Sequence, residues 1–160
     1  MVIDIRRAYF NAPTRRPVLG GIPPEDWEPG DEGKSAKLNV SLYGTRAAAR
    51  NWEEELTKFM LAQSAVIGKS CPCVYDINEG DKSIKIAVHG DDIVCAGEPA
   101  ELNWLRTKFS QKFEIRTQEL SARKSGTLEV NILGRIVRRG NRGITIEADP
   151  RHAQEIIEHL

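Results

Sequence analysis

Three carboxylates give this sequence its clearest capacity for chemistry. Asp91 and Asp92 follow Gly90 between two apolar runs, a pattern typical of a turn between strands, and Asp4 interrupts the first apolar run of the chain. Three carboxylates a few ångströms apart would not all stay ionised without a cation, and hard divalent ions prefer such oxygen ligands. Two ions about 3.5–4 Å apart can activate an attacking hydroxyl and stabilise a leaving phosphate oxygen. Turns also favour Asp and Gly for local reasons, so a pair of this kind by itself is more often a plain hairpin.

Hydrophobic periodicity predicts the elements that must position these carboxylates. In 45–62 the apolar residues recur at helical spacing, and in 99–113 a proline suited to a first turn precedes a second apolar stripe. Shorter apolar or alternating runs predict strands, and Asp149-Pro150 predicts the start of a last helix. The predicted strands are 2–5, 74–77, 84–89, 93–97, 128–138 and 144–146, with turns at 78–81 and 140–143.

The order of these elements predicts an α+β fold of the ferredoxin-like split β-α-β type, with the helices on one face of the sheet. A right-handed crossover makes the first strand parallel to the second, and the third lies antiparallel between them. Asp4 is then expected beside the turn that carries Asp91 and Asp92. We expect 1–160 to form one domain, in which 14–40 is an inserted hairpin around an acidic Pro/Gly loop.

The net charge conceals an uneven distribution of charged side chains. The 160 residues include 23 basic and 23 acidic side chains, which sum to zero. Residues 25–32 contain five acidic and no basic side chains, whereas 116–142 contain seven basic and two acidic ones. The late basic segment predicts either a solvated surface or a contact with a phosphate backbone.

Composition excludes several classes of protein. Hydrophobic residues at 40% and charged residues at 29% are typical of a globular domain, not of a disordered or collagen-like chain. The apolar runs are too short for a transmembrane helix, and the start of the chain lacks the pattern of a secretory leader. The three cysteines, an odd and sparse set, favour reduced thiols in an intracellular protein that is not secreted.

Four motifs then carry a family resemblance that spans 2–160. The segment 4–11 (DIRRAYFN) resembles the first catalytic motif of reverse transcriptases, and 41–52 (SLYGTRAAARNW) resembles the LYGLKQAPRxW signature of copia-type retrotransposons. The segment 87–94 (AVHGDDIV) resembles their YVDD hairpin, and 132–136 (ILGRI) resembles the FLGIEI strand that follows. The chain is therefore similar to the palm region of a copia-type Pol polyprotein.

This resemblance implies roles for individual residues. Asp4, Asp91 and Asp92 would be the catalytic residues and would hold two Mg²⁺ ions, for which Mn²⁺ is a substitute. The residues implied in nucleotide binding are Tyr9, Tyr43, Gly44 and Arg46, where the Tyr9 ring would exclude a ribose 2′-hydroxyl. The residues implied in primer and template contact are Leu133, Gly134, Arg135 and Arg138, within a primer-grip hairpin and terminal helix at 127–160.

The resemblance also implies the reaction and the partners. The reaction would be RNA-directed DNA polymerisation, in which a primer 3′-hydroxyl attacks a deoxynucleoside triphosphate. The partners would be an RNA or DNA template with a DNA primer, the deoxynucleoside triphosphates, and the integrase and ribonuclease H of the same Pol polyprotein, without a membrane. The expected location is a cytoplasmic particle or the nucleus.

The sequence departs from the family pattern at several positions. His89 and Gly90 stand where the family has Tyr and Val, and Ala47 and Ala49 replace its Gln and Pro. The sequence begins close to Asp4, so we expect most of the fingers to be missing, and it ends at Leu160, so we expect the thumb to be missing as well. Two alternatives therefore stay open. One is a catalytically inactive palm remnant that at most binds nucleic acid. The other is a ferredoxin-like interaction module without a nucleic-acid role, in which the three aspartates would not converge.

Overall fold

The first strand of the chain belongs to a different structural unit from the residues that follow it. The computed structural model describes residues 1–80, 82–121, 127–147 and 150–159. A larger unit contains Met1–Arg6 and Ser64–Leu160, and a smaller unit contains Arg7–Gln63. The described ranges exclude Asp81, which the sequence places in the turn 78–81. They also exclude Asp149, which the sequence places at the start of the last helix. Within the described ranges, the helices lack the length and apolar character needed to cross a membrane.

The described residues form short strands and three α-helices. In chain order these are β1 (Val2–Ile5), β2 (Leu19–Gly21), β3 (Ser35–Lys37), α1 (Ala48–Leu61), β4 (Val66–Ile67), β5 (Val74–Glu79), β6 (Lys82–His89), β7 (Asp92–Ala96), α2 (Pro99–Lys112), β8 (Ile115–Gln118), β9 (Glu129–Ile132), β10 (Arg135–Gly140), β11 (Gly143–Glu147) and α3 (Pro150–Glu158). The α+β class predicted from the sequence is confirmed.

The larger unit is built around a six-stranded sheet in which all neighbouring strands are antiparallel. Their order is β4-β5-β6-β7-β1-β8. The first strand is therefore parallel to β6, with β7 between them, as the sequence predicted. This arrangement places the amino end of β7 beside the carboxyl end of β1.

Alternation along the strands separates a buried face of this sheet from an open one. The isoleucines at 3 and 5 in β1, 84 and 86 in β6, and 93 in β7 are all at most 1% exposed. Helix α2 packs against β6 and β8 and contributes the buried side chains of Leu105 and Phe109. Cys95 belongs to the same set, and burial raises the pKa of its thiol to about 12. The polar residues between these positions, which include Asp4 and Asp92, therefore share the open face.

The fourth strand of the sheet is not the one expected from the sequence. The prediction assigned this place to 128–138, but β8 pairs with β1 instead. In β8 only Ile115 and Thr117 are β-branched and half-buried, and they alternate with exposed Arg116 and Gln118. Four residues with two polar side chains give a weak hydrophobic signal, which explains why this strand was missed.

The predicted strand 128–138 is likewise wrong as a single element. It is divided into β9 and β10, which form a separate three-stranded sheet with β11 in the order β11-β10-β9. The break is at Leu133 and Gly134, whose φ angles of 52° and 74° are incompatible with a continuous strand. Two successive positive φ angles are the pattern of a type I′ hairpin turn. The predicted return strand is confirmed as β11.

The smaller unit combines α1 with a small hairpin. The strands β2 and β3, which lie within 14–40, pair antiparallel. The apolar stripe predicted for α1 is buried, with Trp52, Leu56 and Met60 each at most 1% exposed. The buried Asn51 side chain donates a hydrogen bond of 3.0 Å to the Ser41 hydroxyl, which ties the helix to the preceding segment. Because α1 belongs to this unit, the predicted placement of both helices on one face of the sheet stays a prediction.

Candidate active site

The hairpin between β6 and β7 carries Asp91 in its turn. His89 pairs with Asp92, so only Gly90 and Asp91 connect the two strands. Gly90 has a φ of 66°, which an L side chain rarely adopts, and a positive φ at the first turn residue is typical of a type II′ hairpin. The glycine that departs from the family pattern is therefore the residue that this tight turn requires.

Four ionisable residues form one row across the open face of the sheet. Asp4 pairs with Asp92 on one side and with Arg116 on the other, and Asp92 in turn pairs with His89. Directly opposed residues of antiparallel strands project to the same face, with Cβ atoms about 4.5–5.5 Å apart. The row therefore places two carboxylates side by side between two basic side chains. We call these four residues the charged row.

Asp92 lies in an environment that disfavours the charged form of its side chain. Its pKa is raised by partial burial, and the neighbouring charges of Asp91 and Asp4 raise it further. His89 acts in the opposite direction. Asp92 therefore holds its proton more tightly in the folded chain than in the unfolded one, and its ionised form opposes folding at neutral pH.

We expect Asp92→Asn to stabilise the chain at pH 7 in a buffer that contains EDTA. Because Asp92 is partly exposed, solvent screening should limit the gain in unfolding free energy to less than about 1 kcal/mol. The stabilising protonation of Asp92 is complete below the ordinary carboxyl pKa of 3.8 and is lost as pH rises through the raised value. Thermal unfolding of both proteins should therefore show a gain at pH 7 that disappears below about pH 4. An Asp92→Asn chain that is less stable than the native chain at pH 7 contradicts this reading of the charged row.

The donor chemistry of these carboxylates fits a hard divalent cation. Asp4, Asp91 and Asp92 supply only oxygen ligands. Burial and the charges of Asp91 and Asp4 raise the Asp92 pKa, and a bound cation would relieve the repulsion between these charges. Within the part of the chain that the structure describes, however, no three His, Cys, Asp or Glu side chains are gathered closely enough to hold a metal ion. The backbone register brings Asp4 and Asp92 side by side beside the Asp91 turn, but the three carboxylate groups do not converge on one point.

The residues implied in nucleotide binding lie in the smaller unit. The rings of Tyr9 and Tyr43 are stacked with centroids 4.4 Å apart, and the edge of Phe10 meets Tyr43 at 5.7 Å. Tyr43 is 46% exposed, so part of this aromatic cluster is accessible to solvent. Gly44 follows with a φ of 81° and has no atom within 4 Å of where a Cβ would stand, so the backbone there is accessible. The structure thus brings Tyr9 and Tyr43 together.

The residues implied in primer contact lie on the three-stranded sheet of the larger unit. Leu133 and Gly134 form its first turn and not a strand, as described above, and Leu133 is 51% exposed. The register places Arg135 and Arg138 on opposite faces of β10. Arg138 donates to Glu129 at 2.6 Å and also pairs with Glu147, so two carboxylates already compensate its charge.

Sequence reasoning did not identify Arg116 as a neighbour of Asp4. It was grouped with the late basic segment because the strand that carries it was not predicted. Arg6, the next basic residue after Asp4, is ion-paired with Glu114 at 2.5 Å. Arg116 has no ion pair with any residue that the structure describes, which leaves its charge available to the open face.

Comparison with known protein families shows which family the chain belongs to. A family model described as reverse transcriptase (RNA-dependent DNA polymerase) matches residues 1–137, which include β1, the β6–β7 hairpin and the whole smaller unit. The chain belongs to the reverse transcriptase family. The carboxylates of the charged row lie within the matched residues, whereas α3 lies beyond them.

Curated relatives of this reverse transcriptase domain are polyproteins of plant transposons. The chain is 25% identical over 118 residues to the retrovirus-related Pol polyprotein from transposon RE1 of Arabidopsis thaliana, with 73% of this chain and 8% of that protein covered. It is 26% identical over 116 residues to the retrovirus-related Pol polyprotein from transposon TNT 1-94 of Nicotiana tabacum, with 71% of this chain and 9% of that protein covered. The chain thus spans less than a tenth of the length of these relatives. The resemblance to a copia-type reverse transcriptase region is confirmed.

Proposed function

We propose that this chain supplies the catalytic palm region of an RNA-directed DNA polymerase, which extends a DNA primer on an RNA or DNA template. The observation that supports the proposal most is the pairing of Asp4 with Asp92 beside the Asp91 turn, in a chain of the reverse transcriptase family. The interaction-module alternative expects these aspartates to lie apart, and the register brings two of them side by side.

The proposed chemistry depends on the negative charge of the carboxylates on the open face of the six-stranded sheet. Bound to Asp4, Asp91 and Asp92, two Mg²⁺ ions, or Mn²⁺ in their place, would lower the pKa of the primer hydroxyl and neutralise the leaving phosphate. The chain itself holds two of the carboxylates at a fixed spacing through the hydrogen bonds between β1 and β7. The partly exposed ring of Tyr43, which contacts the ring of Tyr9, would provide a stacking surface for a sugar or base.

The proposed partners follow from this reaction and from the relatives. They are a primer–template duplex, the deoxynucleoside triphosphates and the rest of a Pol polyprotein, including its integrase and ribonuclease H. We propose Arg135 as a primer-backbone contact ahead of Arg138, because Arg138 is compensated by Glu129 and Glu147. The corresponding location is a cytoplasmic particle or the nucleus.

The test is template-dependent primer extension by the chain. A DNA primer on an RNA template is incubated with the four deoxynucleoside triphosphates in Mg²⁺, in Mn²⁺ or in EDTA, and products are resolved on a gel. We expect extension that requires both a template and a divalent ion. Extension that persists in EDTA contradicts the proposed metal-dependent mechanism.

One observation favours a second function, that of an inactive domain that binds nucleic acid. The described side chains do not include three acidic, His or Cys groups gathered closely enough for a metal. This alternative predicts duplex binding without incorporation in Mg²⁺ and in Mn²⁺ alike. The extension assay, combined with a duplex-binding measurement, therefore distinguishes the two functions.

A further inference from the structure

Two exposed thiols lie two residues apart in one turn of the larger unit. Cys71 and Cys73 flank Pro72 in the segment between β4 and β5, and all three residues are exposed. Both cysteines are free of disulfide bonds. We call residues 71–74 the thiol turn. The proposed polymerase chemistry gives this turn no role, so its two nucleophilic side chains need an explanation of their own.

A hydrogen bond within the thiol turn defines its conformation. The Val74 amide donates to the Cys71 carbonyl at 3.1 Å, which closes a four-residue β-turn. Pro72 occupies the second position, where its fixed φ suits a turn of type I or type II. Cys73 lacks the positive φ that a type II turn requires at the third position. This combination is typical of a type I turn, with the two cysteines at its first and third positions.

Neighbouring backbone restricts the thiol turn further. The Val88 amide of β6 donates to the Cys73 carbonyl at 2.9 Å, and the Gly68 amide donates to the Val74 carbonyl at 2.8 Å. A Cβ at position 68 would lie 2.7 Å from the Cys71 carbonyl oxygen, so the turn packs against Gly68 too closely for any side chain there. The two thiols therefore extend from a backbone whose conformation is fixed before a ligand binds.

The spacing of the two cysteines allows both sulfurs to reach one ion. Two Cα atoms separated by one residue lie at most about 7.6 Å apart, and a β-turn brings them closer. This range overlaps the separation of roughly 4.4–6.8 Å at which two cysteine side chains can be joined to each other. A single ion between the two sulfurs needs no closer approach than a direct bond does.

The number and type of ligands select the class of ion. Thiolates are soft ligands that bind Cu(I) and Zn²⁺ and leave Mg²⁺ and Ca²⁺ to oxygen ligands. Structural zinc takes four protein ligands. Among the residues that the structure describes, however, His, Cys, Asp and Glu side chains do not form a group of three that could hold a metal. Cu(I) has a filled d shell and forms stable complexes with two thiolates, so it fits a pair better than Zn²⁺ does.

We propose that the thiol turn is a Cu(I) site in which the thiolates of Cys71 and Cys73 are the two protein ligands. Binding releases both thiol protons to solvent and leaves copper in the same oxidation state, so the step consumes neither an oxidant nor a reductant. The exposed Lys69, two residues before Cys71, supplies a positive charge that offsets the net negative charge of a Cu(I) bis-thiolate. The inference is independent of the proposed function, because the site requires neither nucleic acid nor the charged row.

The test is titration of the whole chain with Cu(I) in the absence of oxygen, with ascorbate as the reductant and bicinchoninate as a coloured competing chelator. Loss of the chelator colour measures the stoichiometry and the affinity. We expect one Cu(I) per chain and two sulfur neighbours of copper in X-ray absorption. Cys71→Ser and Cys73→Ser should each weaken binding by at least about a hundred-fold, because loss of a ligand should cost no less than loss of a group that orients one. Both residues are exposed, so both variants should fold.

Cys95→Ala is the matched control, since Cys95 is a buried thiol whose pKa burial raises to about 12. Ser70→Ala, an exposed change next to the thiol turn, is a second control that does not touch the core. Both should leave the affinity and the stoichiometry unchanged. Native affinity in a folded Cys71→Ser chain, or an equal loss in Cys95→Ala, overturns the proposal. One Cu(I) per two chains, or more than two sulfur neighbours, also overturns it because either result requires ligands from outside the turn. Primer extension does not enter these measurements, so failure of the copper site is distinguishable from failure of the proposed function.

Discussion

We expect Asp91→Asn to reduce primer extension by about a hundred- to a thousand-fold, the range found when one group that stabilises transition-state charge is removed. The substitution keeps the shape of the side chain and removes the negative charge that a divalent ion needs. Asp91 is the second residue of the β6–β7 turn, whose unusual φ is carried by Gly90 and not by Asp91, so the fold should persist. Initial rates of extension in Mg²⁺, normalised to the native chain, measure the loss.

Asp26→Asn is the control for this experiment. Asp26 is an exposed residue of the acidic loop in the smaller unit, so the same chemical change should leave extension near the native rate. Thermal unfolding of both variants verifies that they fold. Native-like extension by a folded Asp91→Asn chain would falsify the catalytic assignment, because the amide keeps an oxygen donor but lacks the negative charge that the proposed role requires.

The largest effect on stability is expected from Phe109→Ala. Phe109 is fully buried on α2, which packs against β6 and β8, and its ring lies 6.1 Å from that of Phe113. Truncating a buried Phe to Ala leaves a cavity and typically lowers the free energy of unfolding by about 3–5 kcal/mol. Urea unfolding followed by near-UV circular dichroism measures the change.

Gln111→Ala tests whether that loss is specific to burial. Gln111 is an exposed residue two positions further along α2, and alanine is a better helix former than glutamine. Its substitution should change the unfolding free energy by no more than about 0.5 kcal/mol. Comparable destabilisation by the two variants would show that the helix, and not the Phe109 contact, determines the stability.

Long periodic elements of the fold were predictable from the sequence, whereas short polar ones were not. Helices α1 and α2 agree with the predicted 45–62 and 99–113 to within a few residues, because apolar stripes over three or four turns give an unambiguous period. Strand β8 was missed because Arg116 and Gln118 occupy half of it. The break in 128–138 depends on positive φ at Leu133, a residue type that gives no local sign of such a conformation.

The candidate site was predictable where topology alone determines proximity. The parallel relation between β1 and β6 places Asp4 beside the hairpin of Asp91 and Asp92, and this follows from the order of elements. The position of Arg116 next to Asp4 depends on the strand that was missed, so it was not predictable.

The pairing of β1 with β7 also determines which changes the first strand could tolerate. Ile3 and Ile5 are buried, and Asp4 between them is exposed on the opposite face. A shift of one residue in β1 would turn both isoleucines outward and drive the Asp4 carboxylate into the core, because strand side chains alternate strictly. Burial of the two isoleucines therefore fixes the register that places Asp4 beside Asp92 on the open face. A gene that acquired substitutions at the surface of this strand could still encode the same site, but insertion or loss of a single codon there would remove it.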